Sequence, residues 1–454
     1  MSSPRIHPHR IQPNHRSRLA LMGFALMLIA ALLVGCVGGS QPGPTALPLR
    51  PTATADFSTD ELQQGLDDIV AAGVPGAVIE VRVGDRVWSS GAGLASLRSE
   101  LPARPEQTFR VASLTKPMLA AMVLQLVDEG KIALDDPFND YFPQLFTDAP
   151  EPVTIRHLLQ HTSGLDDYIA QLGLENPERI PEILATPHKP EDLLKLATKQ
   201  GWRSTPGTEY FYSNANYIAL SMLVEKLDDQ PLAESLRTRI TEPLGLNSTR
   251  IPEGTELSDD HLNGYFTEQG FSIEVTRQDA SLWSGAGGVE SNVSDINTFM
   301  RALMSGAVVP PELLAEMTEL SGDGYGLGLQ GRADSCPDRA PVYLPLDISD
   351  AGGEQSPQPT SMPQGESTPT AAAAQLGGAN TPAATEGEEV QIGEAGVVYG
   401  HLGSGLGYRA LTLTSPDGAR QVTIAWNGSP ANYGDDPRVD LVYELADKAL
   451  SVDC

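Results

Sequence analysis

The stretch FRVASLTKPMLAAMVLQLVDEG, residues 109–130, begins with a short polar segment and continues as an apolar run. The run is apolar on nearly every helical face, which is typical of a helix at the centre of a domain, and Gly130 suits its C-terminal cap. Pro117 is tolerated in the first turn because its missing N–H would be unpaired there. The sequence therefore predicts a buried central helix that begins beside Ser113 and Lys116.

Ser113 and Lys116 stand three positions apart at the N-terminal end of this predicted helix. Residues spaced i, i+3 share a helix face, so the ammonium group would lie beside the hydroxyl. A serine is a weak nucleophile until a base takes its proton, and a lysine desolvated near the positive end of a helix can be that base. The pattern indicates an activated serine, and it also fits a capping serine beside a lysine whose side chain reaches solvent.

Two further motifs follow along the chain. The three motifs, in order, are Ser113-Leu-Thr-Lys116, Tyr212-Ser-Asn214 and His401-Leu-Gly403. A competing Lys-x-Gly at residues 199–201 precedes Tyr212 and follows a helical run, so it fails in order and in context. Together the motifs resemble those of the serine β-lactamase and penicillin-binding protein superfamily, in particular its class C-related branch of D-Ala-D-Ala carboxypeptidases and esterases.

Other stretches are similar to hallmarks of the same superfamily. They are TIRHLLQHTSGL (residues 154–165), TPGTEYFYSNANY (205–217), SGAGGVESNVSDI (284–296) and YGLGL (325–329). The resemblance covers residues 57–451 apart from a low-complexity insertion.

The resemblance implies acyl transfer through a covalent serine ester. Ser113 would attack a carbonyl group, and Lys116 and Tyr212 would share the proton transfers. Which of the two is the immediate base stays open. The backbone N–H groups of Ser113 and Ser404 would form the oxyanion hole.

The resemblance also assigns the remaining polar groups of the site. Asn214 would hold the substrate amide or a catalytic side chain, and Gly403 and Ser404 would line the substrate position. His401 would bridge to Tyr212 and to the leaving-group side.

Leu402 departs from the family pattern, because many members have Thr or Ser there to bind a substrate carboxylate. Ser404 and Arg409 are candidates to replace that hydroxyl. The sequence therefore predicts a serine hydrolase acting on an amide or ester, either D-Ala-D-Ala carboxypeptidase-like or an esterase. A class C-like β-lactamase and a catalytically silent, lipid-anchored binding protein are the alternatives.

Strand-like sequence lies near both ends of the globular part and helical sequence lies between them. Residues 57–73 read as an amphipathic helix, residues 77–93 as two strands around Gly84-Asp85, and residues 406–428 as two strands around a Pro-Asp-Gly turn. We therefore expect an α+β fold, in which an antiparallel sheet of N- and C-terminal strands is flanked by helices and joined by a helical lobe.

The first 35 residues contain four arginines and no acidic residue, and their apolar run at residues 19–35 ends in small residues. This is typical of an export signal. The ending Leu-Val-Gly-Cys36 resembles the lipobox of bacterial lipoproteins, so we expect lipidation of Cys36, with an uncleaved membrane anchor as the alternative. Residues 36–56 are predicted to be a tether and residues 57–454 the serine hydrolase domain, outside the cytoplasm and bound to the membrane by lipid.

A low-complexity insertion is expected at about residues 335–395. Residues 351–391 contain no aromatic residue, lysine or arginine, so they bury too little surface to offset the entropy of ordering. Strand-like sequence flanks the segment at residues 325–330 and 396–401. We therefore predict a disordered insertion in a loop between two strands.

The net charge of −29 argues against nucleic acid as a partner, because such binding needs clustered positive charge. The expected partner is a small-molecule or peptide substrate, with peptidoglycan-derived compounds among the candidates. His157 and His161 have the i, i+4 spacing of helical zinc ligands, but no Glu follows His157 and no third ligand is evident, so neither metal nor cofactor is predicted. Whether Cys336 and Cys454 form a disulfide stays open.

Overall fold

The computed structural model describes residues 53–174, 176–199, 201–268, 271–336, 396–429 and 436–454. The strands are β1 (Ala53–Thr54), β2 (Gly76–Val83), β3 (Arg86–Ser96), β4 (Leu101–Pro102), β5 (Phe109–Arg110), β6 (Tyr265–Glu268), β7 (Phe271–Glu274), β8 (Glu290–Ser291), β9 (Gln330–Ala333), β10 (Val397–Gly405), β11 (Tyr408–Thr414), β12 (Arg420–Trp426) and β13 (Gly428–Ser429). The helices are α1 (Asp60–Ala71), α2 (Thr115–Asp128), α3 (Ile155–Leu159), α4 (Ile180–Ala185), α5 (Pro190–Thr198), α6 (Asn214–Asp228), α7 (Leu232–Leu236), α8 (Glu242–Leu244), α9 (Ala280–Gly287), α10 (Val293–Met304), α11 (Pro311–Thr318) and α12 (Arg438–Leu450).

The main sheet has the order β1-β3-β2-β12-β11-β10-β9, and β4 pairs with β3. Apart from the short parallel pair of β1 with β3, its neighbouring strands are antiparallel. The N-terminal hairpin joins the C-terminal strands where β2 pairs with β12, with Ile79 opposite Ile424. The predicted α+β fold, with its sheet of N- and C-terminal strands, is confirmed.

Both faces of the sheet are covered, which explains why every residue of β2 is buried. On one face, alternate β2 residues such as Ile79 and Val81 pack in a cluster with apolar residues of α1 and α12. On the other face, Glu80 and Arg82 form a buried ion pair at 2.7 Å. Arg82 also donates to Ser294 and Thr298 of α10, so this charge pair fixes α10 on the sheet.

The helical lobe is built around α2, which is buried from Thr115 to Leu124. It packs against α6 and α9, and the turn before it lies against β10 and β11. The predicted central helix is therefore confirmed, and Gly130 follows its end with φ +68°, a value that favours glycine. This packing places the N-terminus of α2 at the junction of the sheet and the lobe.

The strand predicted at residues 325–330 is wrong, because β9 begins only at Gln330. The alternation Tyr-Gly-Leu-Gly-Leu imitates a strand, yet Gly328 has φ +79° and the N–H of Gly326 donates to the carbonyl of Leu329. These residues therefore form a tight buried turn. Beyond it, β9 pairs directly with β10, with Ala333 opposite Val397.

Several predictions lie outside the described residues. They are the signal, Cys36 and almost all of the tether, within residues 1–52, and the interior of the insertion, residues 337–395. In the described ranges, no helix combines the length and apolar character that a bilayer crossing would require.

A disulfide joins Cys336, just after β9, to Cys454, just after α12, with their Cα atoms 5.5 Å apart. The two residues are 118 positions apart in sequence. A crosslink over so long a segment limits the conformations of the unfolded chain. The disulfide therefore stabilises the end of β9 and the C-terminus together.

We expect Cys454→Ser to lower the free energy of unfolding by about 2–4 kcal/mol, because the unfolded chain regains loop entropy. Urea unfolding of the wild type and the variant measures the difference. Cys336→Ser should give the same loss, and the double variant should lose no more than either single variant. Equal stabilities of wild type and both single variants would contradict this prediction.

Candidate active site

Ser113 lies in a 3₁₀ turn, Ala112–Leu114, that leads directly into α2. Ala112 has φ +49°, a left-handed conformation that is unfavourable for alanine. β10 runs close against this turn, since a Cβ at Gly403 would stand 2.4 Å from the carbonyl oxygen of Val111. Gly403, predicted to line the substrate position, thus permits the close approach of β10 to the turn that carries Ser113.

Lys116 is completely buried beside the serine. Its Nζ lies 3.0 Å from Ser113 Oγ, 2.8 Å from Asn214 Oδ1 and 2.8 Å from the carbonyl oxygen of Ala286. Burial lowers the pKa of Lys116 to about 7, although the negative charge of Asp167 opposes this shift. The neutral amine, which can accept a proton from Ser113, is therefore well populated near neutral pH.

Asn214 is held in one orientation by Asp167, a residue that sequence reasoning missed. Asp167 Oδ2 accepts from Asn214 Nδ2 at 2.7 Å and from the Asn214 backbone N–H at 3.1 Å. The amide oxygen of Asn214 consequently faces Lys116. Burial raises the pKa of Asp167, while hydrogen bonds and the charge of Lys116 oppose this. Nothing in the sequence around Asp167 distinguishes it from its neighbour Asp166.

Tyr212 approaches Ser113 from the other side. Its hydroxyl donates to Ser113 Oγ at 2.9 Å. Burial raises the pKa of Tyr212 well above its usual value, so the side chain remains a neutral phenol and a proton donor. With Lys116 neutral, Ser113 can accept from the phenol and donate to the amine at the same time.

His401 is buried next to Tyr212, but its ring nitrogens form hydrogen bonds with other residues. Its Nδ1 lies 2.7 Å from the Leu402 carbonyl and its Nε2 lies 3.0 Å from Tyr325 OH. Because a carbonyl only accepts, the proton is on Nδ1, and Nε2 accepts from Tyr325. Burial, reinforced by the charge of Lys116, lowers the pKa of His401 to about 3. The expected bridge to Tyr212 is not a direct hydrogen bond, since the two rings are 6.2 Å apart between centroids.

His161 and Tyr325 extend the site further than the sequence indicated. His161 Nδ1 accepts from the N–H of Ser213 and from Asn216 Nδ2, so its Nε2 carries the proton towards Tyr325 OH at 3.2 Å. The His161 ring also stacks on Tyr212, with centroids 4.2 Å apart. Tyr325 thus links two neutral imidazoles. Both residues lie in stretches that resembled the family, but the sequence did not indicate their contacts.

Tyr325 is a positioning residue, because it fixes His401 and touches neither Ser113 nor Lys116 in the described hydrogen bonds. We expect Tyr325→Phe to lower kcat about tenfold and to leave KM nearly unchanged, since it removes the hydrogen bond that orients His401. Steady-state kinetics measures both constants. Tyr443→Phe, on α12 across the sheet, is the matched control and should keep full activity. A change confined to KM would contradict this role of Tyr325.

Ser113 and Ser404 line the same cleft. The cleft is lined by Arg110, Ala112, Ser113, Ile169, Asn214, Gln278, Trp283, Ala286, Gly287, Ser404, Gly405, Leu406 and Tyr408. The two residues whose backbone N–H groups are expected to bind an oxyanion therefore border the same space. Its other walls are partly apolar, which suits the hydrocarbon part of a substrate.

Position 402 contributes no side chain to the cleft, because Leu402 packs in the cluster with α1 and α12. Arg409, a candidate to replace the missing hydroxyl, is buried and pairs with Asp436 at 3.3 Å. It does not line the cleft. Of the two candidates, only Ser404 does.

His157 and His161, which were considered as zinc ligands, have separate structural roles. His157 caps α3, since its Nδ1 accepts from the Thr154 N–H at 3.3 Å and its own N–H donates to Thr154 Oγ1. His161 belongs to the cluster around Tyr325. Within the part of the chain that the structure describes, no three His, Cys, Asp or Glu side chains are grouped as metal ligands would be.

Comparisons with known proteins identify similar sequences and solved structures. A sequence model of the family described as Beta-lactamase matches residues 60–446. Esterase EstB of Burkholderia gladioli is 28% identical over 356 residues, which are 69% of this chain and 87% of the esterase. Penicillin-binding protein 4* of Bacillus subtilis (strain 168) is 30% identical over 190 residues, which are 42% of this chain and only 40% of that protein. Among solved structures, a D-stereospecific amidohydrolase from Streptomyces sp. has a TM-score of 0.65 and 26% identity, covering 84% of this chain and 97% of the amidohydrolase.

Proposed function

From the premise that the chain belongs to the beta-lactamase family of serine hydrolases, we propose that it hydrolyses an ester or amide through an acyl intermediate on Ser113. One observation carries this proposal: the Ser113 hydroxyl lies 3.0 Å from a fully buried lysine amine and 2.9 Å from a buried phenol. A catalytically silent binding protein would have no need to keep a lysine in so unfavourable a position.

The first half of the reaction uses the neutral form of Lys116. Ser113 Oγ attacks the substrate carbonyl carbon while its proton passes to Lys116 Nζ. The negative charge then moves to the carbonyl oxygen, which the backbone N–H groups of Ser113 and Ser404 stabilise. Asn214 and the Ala286 carbonyl hold the resulting ammonium group. Of the two candidate bases, Lys116 is favoured because the raised pKa of Tyr212 keeps the phenol protonated.

The second half releases the two products. Tyr212 donates its proton to the leaving oxygen or nitrogen as the C–O or C–N bond breaks, and the ammonium group of Lys116 returns a proton to the resulting phenolate. Water then attacks the acyl ester and gives a proton to the neutral Lys116. The ammonium group returns this proton to Ser113 Oγ as the ester C–O bond breaks and the acid product leaves. His401, neutral because of its lowered pKa, lies beside Tyr212 with the ring centroids 6.2 Å apart and helps to hold the phenol in place.

The substrate is proposed to be a small ester, or an amide of the D-amino-acid type. The support for the ester comes from the Burkholderia esterase, which the chain covers over most of its length. The support for the amide comes from the Streptomyces amidohydrolase. Peptidoglycan-derived peptides are the natural candidates within the amide class.

A panel of acylating probes tests the proposal. Fluorophosphonate, labelled penicillin, p-nitrophenyl esters and D-amino-acid amides are each incubated with the full chain, followed by intact mass measurement and peptide mapping. We expect a single adduct on the peptide that contains Ser113, with the other serines of the cleft unlabelled. Absence of any adduct, together with inert substrates, would support the silent binding protein instead.

We also propose that the protein is exported and held at the membrane by lipid on Cys36. The support is the basic, apolar N-terminal sequence ending at that cysteine and the disulfide between Cys336 and Cys454, which is typical of proteins outside the cytoplasm. Cys36→Ala should abolish incorporation of radiolabelled fatty acid and move the protein from the membrane fraction to the soluble fraction. Equal labelling of wild type and variant would rule out this anchor.

A further inference from the structure

A buried carboxylate lies directly behind the base of the proposed mechanism. Asp167 is 6% exposed, and the Asn214 side chain separates it from Lys116. Asp167 Oδ2 accepts from Asn214 Nδ2 at 2.7 Å, and Asn214 Oδ1 accepts from Lys116 Nζ at 2.8 Å. The other carboxylate oxygen, Oδ1, accepts from the N–H of Ile169 at 3.0 Å, and Ile169 lines the cleft. One side chain therefore holds both the acceptor of the base and a wall of the cleft.

Capping of α6 does not explain the carboxylate. Ser213 already caps this helix, since its Oγ accepts from the N–H of Ala215 at 3.2 Å. In the described ranges, no lysine or arginine lies within ion-pair distance of Asp167. A buried carboxylate is costly unless donors and a positive charge compensate it, and burial raises the pKa of Asp167. The compensation comes from three N–H groups and, through Asn214, from Lys116.

The other titratable groups that act on Lys116 carry no charge near neutral pH. They are two phenols and two imidazoles: Tyr212, Tyr217, His161 and His401. Burial raises the pKa of both phenols and lowers the pKa of both imidazoles, so all four stay neutral. Among the described residues, Asp167 is therefore the charge that opposes the effect of burial on Lys116.

The reaction creates a buried positive charge, because the proton of Ser113 passes to Lys116. We propose that Asp167 is a positioning residue that compensates this charge through Asn214, so that one fixed carboxylate sets the pH range in which Lys116 acts as the base. This inference rests on the proposed acylation of Ser113. The proton stays on Lys116 Nζ and none moves to Asp167, which remains ionised throughout.

The pH dependence of kcat/KM for p-nitrophenyl acetate tests the proposal, because it follows the free enzyme. Asp167→Asn removes the negative charge, which makes the ammonium form of Lys116 less stable. The acid limb of the profile should therefore move to lower pH by about one unit. The plateau should fall roughly ten- to a hundredfold, because the amine becomes a weaker base and Asn214 loses its charged partner. A merely structural role would lower kcat/KM equally at every pH.

Two further variants complete this experiment. Asp167→Ser also removes the charge, without placing a second amide against Asn214, and should move the acid limb in the same direction. Asp166→Asn is the matched control, because it removes a neighbouring carboxylate that pairs with Arg203 at 3.4 Å. Its oxygen can still accept from the N–H of Asp167, so the acid limb should stay at the wild-type pH.

A measurement on the wild type holds even when neither Asp167 variant folds. In ¹H–¹⁵N spectra of protein labelled at asparagine, the side-chain NH₂ of Asn214 should be protected from exchange and should shift as Lys116 titrates near pH 7. Lys116→Met should abolish the shift and keep the protection, since Asp167 still holds the amide. Asn216 donates to His161, whose pKa is well below 6.5, so its signal should not move there. Absence of any asparagine signal with this behaviour would overturn the proposal.

This proposal and the proposed function fail in different ways. Wild-type protein that no probe acylates at Ser113 would refute the proposed function. Wild-type protein that is acylated, with an acid limb that neither Asp167 variant moves, would overturn the role of Asp167 alone.

Discussion

Ser113→Ala is expected to reduce kcat by roughly four to six orders of magnitude, because the variant lacks the hydroxyl that lies beside Lys116 and Tyr212 and forms the acyl intermediate. The substitution removes one hydroxyl from a residue that is 8% exposed, so the fold should be retained. Lys116 and Tyr212 lose a shared partner but remain next to each other. The measurement is steady-state turnover of whichever probe acylates the wild type, with urea unfolding to confirm that the variant is folded.

The control for this variant is Ser58→Ala, an exposed serine before α1 on the opposite face of the sheet. It should keep wild-type kcat. Ser113→Ala should also fail to react with fluorophosphonate at any concentration that labels the wild type. Undiminished turnover by Ser113→Ala would end the assignment of Ser113 as the nucleophile.

Lys116→Met is expected to lower kcat by about two to four orders of magnitude, the usual contribution of a general base. Methionine has a similar length and suits a completely buried position, so lost activity would not reflect lost packing. Lys116→Arg should be equally inactive, because arginine keeps the positive charge but does not give up its proton. This pair of variants separates the role of a base from the role of a cation.

The pH dependence of wild-type kcat follows from the same residue. Burial lowers the pKa of Lys116 to about 7, so below that pH the amine is protonated and unable to accept the proton of Ser113. The rate should rise about tenfold per pH unit on the acid side and reach a plateau above the pKa. Lys195→Met, which alters an exposed lysine of α5, should leave the profile unchanged. A flat profile across neutral pH would contradict the role of Lys116 as the base.

The sequence predicted the central helix, both terminal hairpins and the proximity of Ser113 and Lys116. These features depend on local periodicity, turn residues and helical spacing, which are visible in short windows. The approach of Tyr212 to Ser113 was expected only from the resemblance, since no local rule relates residues 99 positions apart.

The missed features all depend on contacts over long sequence distances. Asp167 orients Asn214 across 47 positions, and Tyr325 reaches His401 across 76 and His161 across 164. The left-handed conformation of Ala112 could not be predicted either, because alanine disfavours it and only the surrounding packing imposes it. At residues 325–330 the local pattern was itself misleading. The alternation is typical of a strand, but two glycines allow a turn there.

Strand β9 pairs directly with β10. The chain therefore leaves the sheet at the end of β9 and re-enters it at the start of β10, where Val397 lies opposite Ala333. A polypeptide of almost any length can be accommodated between these two points, because closing a longer loop costs little additional entropy. Changes in the sequence between β9 and β10 should therefore not alter the register of β10 or the positions of His401 and Gly403. The sequence between the two strands can therefore vary, or accept an inserted reporter domain, without a change in the geometry around Ser113.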